Sequence, residues 1–416
     1  MEQNTAIKKF LPKDRNETVI YLLCTMIFIG FSCSRLFISL GVIGLCVYGV
    51  YLQGFKAVWN TYRLSPAYWI CSLFFIVIVL SGINSSDHVS WLNFVRIKLP
   101  CLFLPFGFCG YRFIDRALFN KILFCFSICM LLSATLVMGN YLLHFSAINW
   151  GIRSGATIPV PFSHIRYTLL LVFSFFCWLW LWDQRSSAYG HWLLLPMLFI
   201  FMVIHILSSR SGWVALYVGL VFYLFQFIYF QRKFFFGLIL LMLVGSAPYY
   251  LYHIIPSFQN KIDYMHYSLS ESQKGHLGEN SDGMRIASWQ TGIEIIKRNP
   301  LFGTGVGDLQ RVSKTVSEEL FPNIQNDEDR KMPHNQFLWI WAATGIFGLL
   351  AYCIAFFYPF ITNLKQHNWL FVILYLIFFT SFLSEYSLEE QIGSIFYLLF
   401  LLIFLSHFSS QEIQHD

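Results

Sequence analysis

Long apolar runs, each able to cross a hydrocarbon core, follow one another along most of this 416-residue chain. Charged residues make up only 12% of it, against roughly 25% in a soluble globular domain. The runs lack the period-two alternation of a membrane-spanning barrel, so they predict helices. We therefore expect an all-α integral membrane protein, a bundle of about 12 transmembrane helices. The predicted spans are 18–33, 36–54, 66–82, 92–110, 117–140, 161–182, 191–208, 212–230, 234–254, 336–361, 369–384 and 391–408.

Lysine and arginine residues concentrate on alternate connections between the predicted spans. Because basic residues mark the cytoplasmic side of a membrane protein, they predict a cytoplasmic N-terminus here. The segment 255–333 then lies on the outer side, whose short connections hold little beyond Arg35, Arg153 and Arg210. The net charge of +6 thus reports orientation rather than nucleic-acid binding. The basic residues of the predicted cytoplasmic side are Lys8, Lys9, Lys13, Arg15, Lys56, Arg63, Arg112, Arg116, Arg185, Arg232, Lys233 and Lys365.

The outer segment divides the chain into three parts. Residues 1–254 contain the first nine predicted helices, residues 255–333 form one large outer loop, and residues 334–416 contain the last three helices with a short cytoplasmic tail. A loop of this length in a compact protein is usually functional or disordered. Its first stretch, 257–282, is rich in Ser, Glu, Gln and Gly, and we expect it to be mobile.

Two short amphipathic helices are predicted inside this loop. The first follows Ser281 or Asp282 as N-cap, the second follows Asp308 as N-cap, and each ends before a proline. The glycine-rich stretch Gly303 to Gly307 lies between them. It has no preceding strand and no following Gly-Lys-Ser/Thr, so a turn that lets two backbones approach closely is favoured over a phosphate-binding loop.

Three residues at predicted helix ends are the main candidates for chemistry. Arg210 lies in a tight outer turn, Arg285 in the first turn of a loop helix, where a cation opposes the helix dipole, and His334 directly before a span. Arginines that reach lipid headgroups or solvent, and an incidental histidine, remain the alternatives. Together they suggest a site for a phosphorylated lipid, since arginine matches phosphate oxygens and histidine removes protons near neutrality.

Other charged residues on the outer side are weaker candidates. His164 and Arg166, at the start of the sixth predicted span, are secondary candidates for lining the same cavity. Arg96 and Lys98, near the outer end of the fourth span, are better explained by snorkelling. Three acids between the last two spans have an open role, with solvated helix ends favoured. They are Glu385, Glu389 and Glu390.

The motifs around the main candidates keep a specific order and spacing. They are Arg285-x-x-x-Trp289, Asn-Pro-Leu-Phe-Gly-x-Gly from Asn299 to Gly305, and His334-Asn-Gln-Phe-Leu before a span with Gly345 and Gly348. In this order, on a multispanning bundle with a late outer loop, they resemble the O-antigen ligase family. The resemblance is strongest over about 205–350 and is architectural elsewhere.

This resemblance implies a GT-C-type glycosyltransferase that needs no cofactor. Members of the family move a finished glycan from undecaprenyl pyrophosphate to lipid A-core oligosaccharide on the periplasmic face of the bacterial inner membrane. His334 matches the family's essential histidine, and Arg210 and Arg285 match its two essential arginines. A single attack by the acceptor hydroxyl would invert the anomeric carbon. The predicted substrate-binding residues are Arg210, Arg285, His164, Arg166 and Asn335.

No metal site is expected. Asp282 and Asp308 are explained as helix caps, and Asp327, Glu328 and Asp329 beside two basic residues are typical of a solvated turn. Two arginines already balance the charge of the leaving group.

Three other functions stay open at this point. The family also contains O-antigen polymerases and protein O-oligosaccharyltransferases, which use the same donor with other acceptors. A lipid or glycan transporter is the alternative from a different class, because many spans with intramembrane charges suit it equally well. The lack of an internal repeat, and the clustering of the candidates on one side, argue against a transporter.

Overall fold

The computed structural model describes residues 14–111, 114–184, 190–232, 234–274, 281–324 and 330–415. Every regular element within these ranges is an α-helix or a 3-10 turn, so the all-α prediction is confirmed. Ten helices in this part of the chain are long and apolar enough to cross a membrane, and two apolar helices are shorter. These two occupy the predicted spans 191–208 and 369–384. Lys8, Lys9, Lys13, Arg112, Arg185, Lys233, Asp327, Glu328 and Asp329 lie outside the described residues.

Eighteen α-helices follow one another along the described chain. They are α1 (Arg15–Cys33), α2 (Arg35–Gln53), α3 (Phe55–Leu64), α4 (Pro66–Trp69), α5 (Leu73–Leu80), α6 (His88–Phe108), α7 (Arg116–Leu143), α8 (Phe145–Arg153), α9 (His164–Asp183), α10 (Leu194–Leu207), α11 (Arg210–Gln231), α12 (Phe234–Ile254), α13 (Pro256–Gln273), α14 (Ser281–Arg298), α15 (Leu309–Leu320), α16 (Gln336–Asn363), α17 (Trp369–Phe382) and α18 (Gln391–His415). A 3-10 turn joins α4 to α5, and the two together form one span.

Polar caps set where several of the spans begin. Asp14 and Asp115 each accept a hydrogen bond from the backbone three residues on, at 2.8 and 2.7 Å, and so start α1 and α7. Asn335 accepts from the backbone of Phe337 and Leu338 at 2.9 and 3.1 Å and starts α16. Such caps bond the backbone N–H groups at the start of a helix, which have no partner within the helix. Leaving these groups without a hydrogen bond near a membrane costs free energy.

Two helices form the centre of the bundle. In an 18-residue apolar stretch of α18, 94% of the residues are buried, and in α9 the share is 89%. Aromatic rings join them to α7: Phe400 of α18 lies 4.7 Å from both Phe173 of α9 and Phe126 of α7, measured between ring centroids. The segment that precedes α18 therefore adjoins the most buried helices of the bundle.

The outer loop is more ordered than its composition indicates. The predicted helices after residue 281 and after Asp308 are present as α14 and α15. The mobility expected for 257–282 is wrong for most of that stretch, because α13 occupies it and packs against α8, α10, α12 and α14. A proline at its first helical position starts α13, and tertiary packing outweighs its polar composition.

The capping roles expected for two loop acids are also wrong. Asp282 lies inside the first turn of α14 and is paired with Arg210. Asp308 precedes α15 but makes no side-chain cap there. Its carboxylate accepts instead from the backbone of Ser86 at 2.5 Å and from Arg311 at 2.8 Å, and so ties α15 to the loop before α6.

The glycine-rich turn fastens this loop to α16, as its sequence predicts. Gly303 and Gly305 have positive φ angles of 68° and 82°, which favour glycine. Thr304 and Gly305 donate backbone hydrogen bonds of 2.9 Å to Ala342 and Ala343. A Cβ atom on Gly303 would lie 2.4 Å from the Ala343 carbonyl carbon, so the close approach requires glycine. The turn therefore holds the outer loop against the span that follows His334.

Candidate active site

The connection between α17 and α18, residues 383–390, gathers the candidate residues. Two of its three acids are buried, since Glu385 is 6% and Glu389 is 2% exposed. Their interpretation as solvated helix ends is therefore wrong. Buried carboxylates require partners of opposite charge, and each of them has one. Each partner comes from a different helix, so this connection collects charges from across the bundle.

Glu385 lies between His334 and Arg285. Its Oε2 is 3.2 Å from His334 Nδ1, and its Oε1 accepts a hydrogen bond of 2.8 Å from Arg285 Nη2. Although burial alone would raise the pKa of Glu385, the bond and charge of His334 and the charge of Arg285 lower it below its ordinary value. The carboxylate is therefore ionised and orients the imidazole through Nδ1. Among the described residues the ring of His334 forms a hydrogen bond only through Nδ1, so its Nε2 has no partner there.

The motif spacing explains how His334 is held. Arg285 and Trp289 lie one turn apart on α14, so both point to the same side. Trp289 donates its indole N–H to the His334 carbonyl at 2.8 Å, and the His334 amide donates to Ser288 Oγ at 3.2 Å. The Arg-x-x-x-Trp motif thus fixes both the arginine and the backbone of the histidine.

Arg210 is held by the first turn of α14. Its guanidinium pairs with Asp282, and its Nη2 donates to Ser281 Oγ at 2.9 Å. Asp282 is only three residues before Arg285. The guanidinium groups of Arg210 and Arg285 are close enough for their charges to repel each other. Arg210 therefore contacts the same first turn of α14 that carries Arg285, and Arg285 shares the carboxylate of Glu385 with His334.

Lys261 of α13 adds a third cation that the sequence reading missed. It is 8% exposed, and its ammonium lies 5.2 Å from the centre of the Tyr264 ring. Burial first, and then the charges of Arg210 and Arg285, lower the pKa of Lys261 to about 8. Among the described acids, none lies within ion-pair distance of it. A lone lysine in a polar stretch carries no sequence signal that would have identified it.

The positive charges of this cluster exceed the negative ones. Arg210, Arg285 and Lys261 face Asp282 and Glu385, a difference of one positive charge even before His334 is protonated. Buried positive charge without a partner is unfavourable unless an anion completes it. The cluster is therefore suited to an anionic group.

Arg166 and Asn335 hold the 383–390 connection instead of facing this cluster. Arg166 pairs with Glu390 at 2.9 Å and reaches the carbonyls of Tyr386 and Ser387, both at 3.4 Å. Asn335, besides capping α16, donates to the Leu383 carbonyl at 3.1 Å. These two predicted substrate-binding residues therefore position the backbone around Glu385.

His164, at the start of α9, is brought to the cationic cluster. It is close enough to Lys261 for their charges to interact, and its buried Nε2 has no hydrogen-bond partner in the described structure. Of the secondary candidates, His164 is thus the one that lies near Lys261.

Lys98 is buried and does not snorkel, which corrects the sequence interpretation. Its ammonium donates to Glu389 at 3.0 Å and to the Leu388 carbonyl at 2.5 Å. Gln336 completes this contact, donating to Glu389 at 2.8 Å and accepting from the Leu388 amide at 2.9 Å. The 383–390 connection is thus held at residues 388 and 389 as well as at its two ends.

Comparison with known proteins agrees with the position of this site. A family model described as O-antigen ligase matches residues 195–353, which include Arg210, Arg285 and His334. An uncharacterised protein of Haemophilus influenzae is 25% identical over 198 residues, which is 45% of this chain and 46% of the relative. The chain thus spans about half the length of this curated relative. The resemblance drawn from the motifs is confirmed: residues 195–353 of this chain match the O-antigen ligase family model.

Proposed function

We propose that this protein is an O-antigen ligase, which transfers a finished glycan from undecaprenyl pyrophosphate to lipid A-core oligosaccharide. The family match supports an enzyme that transfers lipid-linked glycans. The observation that carries the finer proposal is the contact of Glu385 with both His334 and Arg285 beside a cluster with excess positive charge. The basic residues of the sequence support a location in the inner membrane with this site on the periplasmic face.

The cationic cluster binds the donor pyrophosphate. Arg210 and Arg285 present guanidinium groups that match phosphate oxygens in pairs, and Lys261 supplies a third charge. These charges stabilise the leaving group most when its bond to the sugar breaks and its negative charge grows. They therefore act on the transition state more than on the bound donor.

His334 acts as general base on the acceptor. Its Nε2 takes the proton of the acceptor hydroxyl while Nδ1–H stays bonded to Glu385, which stabilises the imidazolium that forms. The acceptor oxygen forms a new bond to the anomeric carbon. The bond from that carbon to the pyrophosphate oxygen breaks, and undecaprenyl pyrophosphate leaves with the electron pair. One displacement of this kind inverts the anomeric configuration.

Reconstitution into proteoliposomes with an undecaprenyl-linked glycan and purified lipid A-core is the direct test. We expect the glycan to appear on lipid A-core with its length distribution unchanged. A ladder of longer lipid-linked glycans would identify a polymerase instead, and transfer to a protein acceptor would identify an oligosaccharyltransferase. Movement of donor between compartments without its consumption would identify a transporter and contradict the proposal.

Transfer is expected to continue in excess EDTA. A divalent cation on a pyrophosphate requires hard oxygen ligands, usually carboxylates. Asp282 is paired with Arg210, Glu385 with Arg285 and His334, and Glu389 with Lys98. The measurement is the transfer rate with chelator, then with added magnesium. If chelation stops turnover and magnesium restores it, carboxylates must bind a metal. The acids at 327–329, which lie outside the described residues, would then be the first to mutate.

A further inference from the structure

An apolar groove opens between α2, α6 and α18. It has a volume of about 750 Å³, within the range of sites for small-molecule ligands. Most of its wall is apolar. The wall includes Val42, Ile43, Val47, Leu99, Phe103 and Ile395. All three helices are membrane spans, so this wall is suited to acyl or isoprenoid chains.

Two arginines lie at the polar part of this groove. Arg35 is the first residue of α2, and Arg96 lies two turns, about 12 Å, inside α6. Both are exposed, and among the described residues neither has a carboxylate within ion-pair distance. Glu390 also lines the groove, but Arg166 already pairs with it at 2.9 Å. Arg35 lies over the ring of Phe162, 5.8 Å from its centre, and Arg96 lies within a span, where a charged group is a candidate for binding an anion.

The groove and the cationic cluster lie at opposite ends of the same connection. Glu390 and Gln391 face the groove, whereas Glu385 contacts His334 and Arg285. The pair of Lys98 with Glu389 separates them. A phosphorylated amphiphile in the groove would therefore leave the cluster free for a second one.

We propose that this groove binds the phosphorylated, acylated anchor of the acceptor lipid, with Arg35 and Arg96 holding its phosphates. The proposal rests on the proposed function, in which Arg210, Arg285 and Lys261 are taken by the donor. The two lipids then approach the 383–390 connection from its two ends, and the oligosaccharide of the acceptor extends to His334. If the donor occupied the groove instead, its single pyrophosphate would have to bind both the groove arginines and the cationic cluster.

Crosslinking tests binding without requiring activity. The photoreactive residue p-benzoyl-phenylalanine replaces Val47, which is exposed in the groove, in full-length protein in vesicles of phosphatidylglycerol and lipid A. We expect a lipid A adduct that the Arg35→Gln/Arg96→Gln double variant reduces at least about tenfold, since each arginine donates charged hydrogen bonds. A second set of vesicles contains lipid A and undecaprenyl phosphate in equal amounts. Adducts with undecaprenyl phosphate in preference to lipid A there, or with phosphatidylglycerol alone in the first set, would overturn the assignment.

Kinetics separate this proposal from the proposed function. In the double variant we expect the KM for lipid A-core to rise at least about tenfold, with inhibition by inorganic pyrophosphate unchanged. Val47→Trp fills the groove and is expected to raise the KM for lipid A-core. Its matched control is Leu40→Trp, which adds bulk at an exposed position of α2 outside the groove and is expected to leave turnover unchanged. An increase confined to the donor KM would contradict the acceptor site. Absence of any transfer by the wild-type protein would instead contradict the proposed function, while the crosslink still reports on the groove.

Discussion

His334→Ala lowers glycan transfer by about 10²- to 10⁴-fold, the usual value of a general base, if Nε2 accepts the proton of the acceptor hydroxyl. The fold is expected to survive, because the contacts that hold this residue in place come from its backbone amide and carbonyl, bonded to Ser288 and Trp289. Arg285 also remains to neutralise Glu385. The measurement is the initial rate in proteoliposomes at matched protein content, with donor binding followed separately.

The controls for this prediction distinguish catalysis from structure. His266→Ala changes an exposed histidine of α13 and is expected to retain wild-type transfer. Glu385→Gln keeps the shape of the side chain but removes the charge that stabilises the imidazolium, so we expect a smaller loss than for His334→Ala. A correctly inserted His334→Ala protein with wild-type turnover would remove the general base from the mechanism.

Arg285→Lys and Arg210→Lys are each expected to lower transfer by about 10²-fold although they keep the positive charge. A lysine ammonium cannot reproduce the two parallel hydrogen bonds that a guanidinium makes to phosphate oxygens. The lysine would also lose the geometry that joins Arg285 to Glu385 and Arg210 to Asp282 and Ser281. Turnover at saturating donor, together with inhibition by inorganic pyrophosphate, measures the effect on both binding and reaction.

Arg298→Lys is the matched control for the arginine variants. It lies on the same helix as Arg285, is exposed, and pairs with Glu294 one turn earlier on the surface. Surface pairs of this kind contribute little, so its transfer rate is expected to be unchanged. Normal turnover of both Arg210→Lys and Arg285→Lys would mean that these arginines only anchor the outer loop.

The sequence predicted the spans and the three central candidates because both depend on local signals. Apolar length marks a span, and the motifs around Arg285 and His334 lie on two short stretches. Glu385 gave no such signal, because it lies 51 residues after His334 and meets it only through packing. Its sequence neighbourhood, between two spans, is that of a solvated helix end.

Lys261 and Asp282 were missed for a related reason. Composition favoured mobility for the stretch that contains Lys261, but four neighbouring helices supply the packing that stabilises α13. Asp282 follows a serine at a helix start, the ordinary setting of a cap, and only the fold brings Arg210 to it. In both cases a tertiary contact outweighed the local preference.

The 383–390 connection has a consequence for biogenesis. Its carboxylates meet Arg285 of α14, Lys98 of α6 and Arg166 of α9, and they lie between the final two described spans. These acids are synthesised after all of their partners, so His334 meets its carboxylate only when the chain beyond α17 has been made. Under the proposed function, a chain in which this connection is not in place lacks the carboxylate that orients His334. We therefore expect such a chain to be inactive until its last helices have inserted.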